Sequence, residues 1–82
     1  MSSQQVPPSL REILADIFEI SPEQVTPELS AGTIDNWDSF RHLQAILSVE
    51  GEYGVQLDPQ RIAELTTVSR IQSALEEKGA VL

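Results

Sequence analysis

The sequence predicts an all-α fold: a small four-helix bundle of three longer helices and one short one, with a long loop between the first and second. Three observations predict it. Apolar residues recur at helical spacing in three separate stretches, each bounded by residue types that start or stop helices. No stretch alternates with period two for long enough to make a strand, and Val55-Gln56-Leu57 is too short to count. The 82 residues supply one core and no more, so residues 1–82 read as a single domain. A chain of this size is expected to have a stability of about 5 kcal/mol.

Each element can be justified in order. Residues 1–6 lack periodicity and read as a flexible tail. Leu10, Ile13, Leu14, Ile17 and Phe18 then fall on one face of a first helix, with Pro7 and Pro8 at its start and Ser9 a candidate cap. Ser21-Pro22-Glu23-Gln24 is a capping box, but Pro27 limits what it opens to a single turn. From Thr26 to Trp37 no period holds. Pro27, Ser30, Gly32 and Asn36 are loop formers, while Leu29, Ile34 and Trp37 are apolar anchors that would pin the loop to the core. Loops this long in small domains usually serve a function or are well packed.

The second helix is predicted over Ser39–Tyr53, with Leu43, Ile46, Leu47, Glu50 and Tyr53 tracing one face and Gly54 ending it. Gly51 within it costs about 1 kcal/mol relative to alanine. Asp58-Pro59 opens a short third helix from which Ile62 and Leu65 turn inward. Thr66 or Thr67 caps a last helix with Val68, Ile71, Ala74 and Leu75 on one side, where Lys78 complements the dipole and Gly79 stops the run.

Composition narrows the function classes. Thirteen acidic and five basic side chains give a formal charge of −8, which opposes nucleic-acid binding and favours basic protein partners. There is no cysteine, so disulfides, thiol catalysis and cysteine-type zinc sites are excluded. No apolar run is long enough to span a bilayer, and no basic segment followed by a hydrophobic one opens the chain, so a cytoplasmic monomer is expected. The carboxylates lack the loop spacing of a calcium site, and a single histidine makes no metal centre.

Asp38-Ser39-Phe40 is the feature with chemical content. It sets Ser39 at the mouth of the second helix, where unpaired N–H groups and the helix dipole favour an anion. Asp38 can cap that helix alone, which leaves the Ser39 hydroxyl free. His42 lies within one turn of both, which brings together the residue types of a hydrolytic triad. One exposed helical turn provides neither an oxyanion hole nor a substrate pocket, and His42 reads as a surface or partner-facing residue. The chain is therefore not expected to be an enzyme.

From about Leu10 to Leu75 the sequence resembles the acyl carrier protein family. The resemblance rests on Asp38-Ser39, with Phe40 where leucine usually follows, on Leu43, Ile46, Leu47 and Tyr53 along the second helix, and on Ile62, Leu65, Thr66, Thr67 and Val68 beyond it. Trp37 ahead of Asp-Ser is similar to discrete bacterial carriers of specialised pathways. The resemblance implies that 4′-phosphopantetheine, donated by coenzyme A through a phosphopantetheinyl transferase, is attached to Ser39. The group's thiol would then carry acyl intermediates as thioesters between loading and transferring enzymes of a fatty-acid, polyketide or other specialised pathway. It also implies partner contacts at Asp38, Phe40, Arg41, Leu43 and Glu50, and an acyl-chain slot lined by Leu43, Ile46, Leu47, Ile62 and Leu65. An aminoacyl or peptidyl carrier, or an unloaded acidic adaptor with the same fold, are the alternatives. One departure stands out: Asp38–Tyr53 has a net charge of only −2, whereas Arg11–Glu28 has −4, and Arg41 is two residues from Ser39. Arg41 is accordingly read as a repulsive charge towards basic partners.

Overall fold

A computed structural model describes residues 6–80 of the chain. In order come α1 (Pro8–Phe18), a 3-10 turn (Pro22–Gln24), α2 (Ser39–Tyr53), α3 (Pro59–Ile62) and α4 (Val68–Glu77). The all-α bundle is what the helical periodicities predict. Among the described residues the one extended pairing is an isolated bridge between Ser30 and Thr67.

Of the predicted tail, residues 1–5 lie outside the described residues, and Val6 is a correction. It is 3% exposed and belongs to the same core as Leu10, four positions ahead of which it stands. A lone apolar residue before a helix carries no periodicity, yet the core of a small domain uses it. Pro8 opens α1 at its first turn, but Ser9 does not cap the helix. Its hydroxyl instead bonds the Tyr53 hydroxyl at 2.6 Å, which ties the start of α1 to the end of α2 and makes the two helices antiparallel neighbours.

The end of α1 is closed by an unusual residue and by distant side chains. Glu19 adopts a left-handed conformation (φ 57°), a position usually taken by glycine, and the Ile20 N–H returns to the Ala15 carbonyl at 3.0 Å. Two further terminal carbonyls are capped from elsewhere: Asn36 Nδ2 donates to Phe18 O at 2.7 Å, and Arg41 Nη1 to Ile17 O at 2.6 Å. Helix ends need such partners when buried against a neighbour.

The α2 boundaries are those predicted, with Gly54 in the left-handed conformation (φ 67°). Its buried face is not. Ala45, Ile46 and Val49 pack inward, while Leu43 and Leu47 face solvent. Two stripes at helical spacing compete on this helix, and the fully buried Ala45 belongs to the one that faces the core. Glu50 joins neither stripe's surface role: its carboxylate accepts the Leu57 N–H at 2.7 Å and holds the turn after α2.

The α1–α2 loop is stitched to the connection between α3 and α4. Ala31 N donates to Thr66 O, Val68 N to Leu29 O, and Ser69 N to Pro27 O, at 2.9, 2.9 and 3.1 Å. Leu29 and Trp37 are buried and Ile34 is half-buried, so all three predicted anchors pack on the core. Thr67, not Thr66, caps α4 by accepting the Arg70 N–H at 3.1 Å. Asp58 makes no cap to α3 with its side chain; its carboxylate faces Lys78 Nζ at 3.4 Å.

Because Val6 is buried, Val6→Ala should destabilise the protein by about 1–2 kcal/mol. Urea denaturation reads this as a lower midpoint with an unchanged slope. An unchanged midpoint would return Val6 to the tail.

Candidate functional site

The site begins with how α2 starts. Asp38 is extended and its Oδ1 accepts the Arg41 N–H at 2.8 Å, while its carbonyl accepts the His42 N–H at 2.8 Å. Asp38 thus does the capping that either residue could have done. Ser39, at the first helical position, is exposed, and its hydroxyl has no hydrogen-bond partner among the described residues. The N–H groups of Ser39 and Phe40 are likewise without partners there, at the positive end of a 15-residue helix.

Trp37 sets the direction from which the chain enters α2. Its ring is 4% exposed and stacks on Phe18 with centroids 4.4 Å apart. Its Nε1–H donates to His42 Nδ1 at 2.9 Å, and His42 Nε2 lies 2.7 Å from the Ile62 carbonyl. An indole nitrogen only donates, so Nδ1 accepts and the proton of the neutral ring sits on Nε2, pointing at Ile62 O. Asp38, Ser39 and His42 therefore do not assemble into a triad, because both imidazole nitrogens are engaged elsewhere.

An open cleft of about 510 Å³ adjoins Ser39. Its walls come from the start of α2 (Asp38, Ser39, His42, Leu43), from α3 (Pro59, Ile62) and from the loops on either side (Ala31, Trp37, Ala63, Thr66). Its lining is mainly apolar, with Ser39 at the edge. Among the described residues no group of three His, Asp or Glu side chains could hold a metal ion, and no helix is long and apolar enough to cross a membrane.

A 33% identity over 67 residues relates the chain to polyketide-8 synthase acyl carrier protein 2 of Streptomyces avermitilis, covering 82% of this chain and 74% of that one. The chain belongs to the acyl carrier protein family. It is also 29% identical over 80 residues to the acyl carrier protein of Thermosynechococcus vestitus, covering 98% and 99% of the two chains. A solved structure of a holo acyl carrier protein from Geobacter metallireducens superposes with a TM-score of 0.75 at 28% identity, covering 85% of this chain and 80% of that one. No family profile matches the chain. As an acyl carrier protein it works with the enzymes of acyl pathways.

The carrier's predicted site residues separate on the structure. Asp38, Ser39 and Leu43 share the cleft mouth, and Ile62 lies across from them. Phe40, Leu43 and Leu47 form an exposed apolar stripe, 70%, 48% and 59% accessible, running down α2 from the residue after Ser39. The five proposed slot residues do not form one lining. Ile46 and Leu65 are buried in the core, Leu47 faces solvent, and only Leu43 and Ile62 border the cleft.

Arg41 is a correction to the expected repulsive charge. It reaches back to α1, where its guanidinium donates to Ile17 O and lies 3.5 Å from Glu19. A cation at a helix C-terminus complements the dipole there. Glu50, whose carboxylate accepts the Leu57 N–H, anchors the turn after α2. His42, read from the sequence as surface or partner-facing, is part-buried and lines the cleft with both ring nitrogens bonded. Asn36, a loop former in the sequence, also caps Phe18 O, a long-range contact that local spacing does not signal.

Arg41→Glu should therefore lower stability, by about 1–3 kcal/mol, because it removes a charged donor and sets a carboxylate against Glu19 and a helix C-terminus. Thermal unfolding would show it as a fall of the midpoint, and an unchanged midpoint would restore Arg41 to the free surface.

Proposed function

We propose that Ser39 is the attachment site of 4′-phosphopantetheine and that the protein carries its cargo on that arm without itself catalysing a reaction. The observation that carries this reading is the division of labour at the α2 N-terminus. Asp38 supplies the cap, so the Ser39 hydroxyl stays exposed and has no partner among the described residues. The residues present fit a phosphodiester: two unpartnered N–H groups and the positive end of α2 favour an anion at that oxygen. The arm would supply the thiol that the cysteine-free chain lacks. Its neighbour His42 has both ring nitrogens engaged, so the base that takes the Ser39 proton must come from the loading enzyme. Similarity to a holo acyl carrier protein supports the same group.

Cargo-handling enzymes are proposed to dock on the stripe of Phe40, Leu43 and Leu47, which starts one residue beyond Ser39. Between Ser39 and Val49 the helix has no acidic residue, and its one arginine is turned to α1. Partner contacts on this face are therefore apolar in the main, and charge acts through the wider acidic surface.

Incubation with coenzyme A and a broad-specificity phosphopantetheinyl transferase should raise the intact mass by one phosphopantetheinyl group. Ser39→Ala should abolish the rise while leaving the fold intact, and loading that survives it would refute the assignment. On the partner face, Leu47→Glu should slow transfer to or from the arm by about tenfold, equivalent to about 1.4 kcal/mol, with the melting temperature unchanged. Rates equal to those of the unaltered protein would move the docking face elsewhere.

A further inference from the structure

The cleft beside Ser39 has a back wall built from hydrogen bonds as well as packing. Trp37, His42 and Ile62 all line it, and they are the three members of one bridge: indole N–H to imidazole Nδ1 at 2.9 Å, imidazole Nε2–H to the Ile62 carbonyl at 2.7 Å. The bridge runs from the loop through α2 to the end of α3. One turn beyond His42 on α2 is Ile46, and three residues beyond Ile62 is Leu65; both are fully or almost fully buried. The wall therefore stands between an open, shallow cleft and the hydrophobic core.

The bridge is well anchored. The Ile62 carbonyl also accepts the Leu65 N–H at 3.1 Å, so both of its acceptor positions are used. Trp37 cannot turn away without losing its stack on Phe18. His42 is held by ring contact as well, its centroid 6.0 Å from that of Trp37. Each nitrogen of the imidazole thus has a fixed partner on a different element. Moving the ring would leave the indole N–H, in a 4% exposed residue, without an acceptor.

We propose that His42 is the specificity-determining residue of this cleft, a bar between α2 and α3 that keeps cargo at the surface and selects short or polar acyl groups over long alkyl chains. The inference rests on the carrier reading with Ser39 as the arm site. A chain entering between Leu43 and Ile62 meets the imidazole first. Its burial is favourable in proportion to the apolar surface removed from water, but it must first break two hydrogen bonds that nothing in a hydrocarbon replaces. Short cargo gains too little from burial to break them. Removing the imidazole abolishes that cost and opens the way to Ile46 and Leu65.

The test uses the full chain loaded by a phosphopantetheinyl transferase with coenzyme A thioesters of acetyl, butyryl, hexanoyl, octanoyl and decanoyl groups. Intact mass establishes loading of each form, and thermal unfolding gives its midpoint. In the unaltered protein the midpoint should be the same from acetyl to octanoyl. In His42→Ala it should climb with chain length, by roughly 5 °C or more between acetyl and decanoyl. His42→Gln, whose amide offers one acceptor and one donor, should restore the flat series. Midpoints that rise as steeply in the unaltered protein as in His42→Ala would overturn the proposal, as would a flat series in both.

A second measurement is independent of loading and guards against a poorly folded alanine variant. Nitrogen NMR of the unloaded protein should show His42 protonated at Nε2 and not at Nδ1, with the Trp37 indole proton shifted in His42→Ala and returned in His42→Gln. Protonation at Nδ1 in the neutral ring would overturn the bridge itself. Failure of any mass increase would overturn the carrier reading, a result distinct from successful loading with no discrimination by chain length.

Discussion

Trp37 is the residue on which the arrangement of this protein depends. Its ring is stacked on Phe18 at the end of α1, and its N–H fixes His42 in the first turn of α2, which in turn fixes Ile62 at the end of α3. Through the pair of Trp37 and His42, α1, α2 and α3 are joined. Burying an aromatic ring removes a large apolar area from water, and the polar edge of the ring then needs a partner. His42 meets that need, which is why an imidazole with two usable nitrogens stands there. The entry of the chain into α2 follows, and with it the exposure of Ser39 immediately afterwards.

The same region shows how side chains from elsewhere complete a helix end that a left-handed turn begins to close. The last carbonyls of α1 receive Asn36 and Arg41 from the loop and from α2, while Glu19 takes the left-handed turn in place of a glycine. These contacts are individually modest, but they connect the α1 terminus to the α2 start that presents Ser39. They also account for the charge of Arg41: it completes the α1 terminus and is thereby drawn towards α1. What remains on the outer side of α2 is an apolar stripe beside an unpaired hydroxyl. An acyl carrier protein with such a face differs in surface chemistry from one whose second helix is lined with acids.

Besides its packed side chains, the loop is joined to the α3–α4 connection by backbone hydrogen bonds. Leu29, Ala31, Thr66 and Val68 form a short extended crossing that fixes the long loop against the α3–α4 connection. Among the described residues one isolated bridge results, and no sheet. The crossing nonetheless places Ala31 and Thr66 in the wall of the Ser39 cleft, so the loop contributes to the site as structure.

The sequence by itself determined the helix positions, the α2 boundaries and Ser39 as the candidate site, because periodicity, capping and glycine termination are local properties written within a few residues. It also identified Leu29, Ile34 and Trp37 as loop anchors, since apolar residues among loop formers have no other use. Which face of α2 is buried lay beyond it. Leu43 and Leu47 are as apolar as Ile46, and only packing against α1 decides that Ala45, Ile46 and Val49 go inward. The roles of Val6, Arg41, Glu50 and His42 were decided by tertiary structure for the same reason. Each acts on a partner from another element, such as Ile17, Leu57 or Ile62, and a contact between distant residues leaves no trace in local sequence spacing.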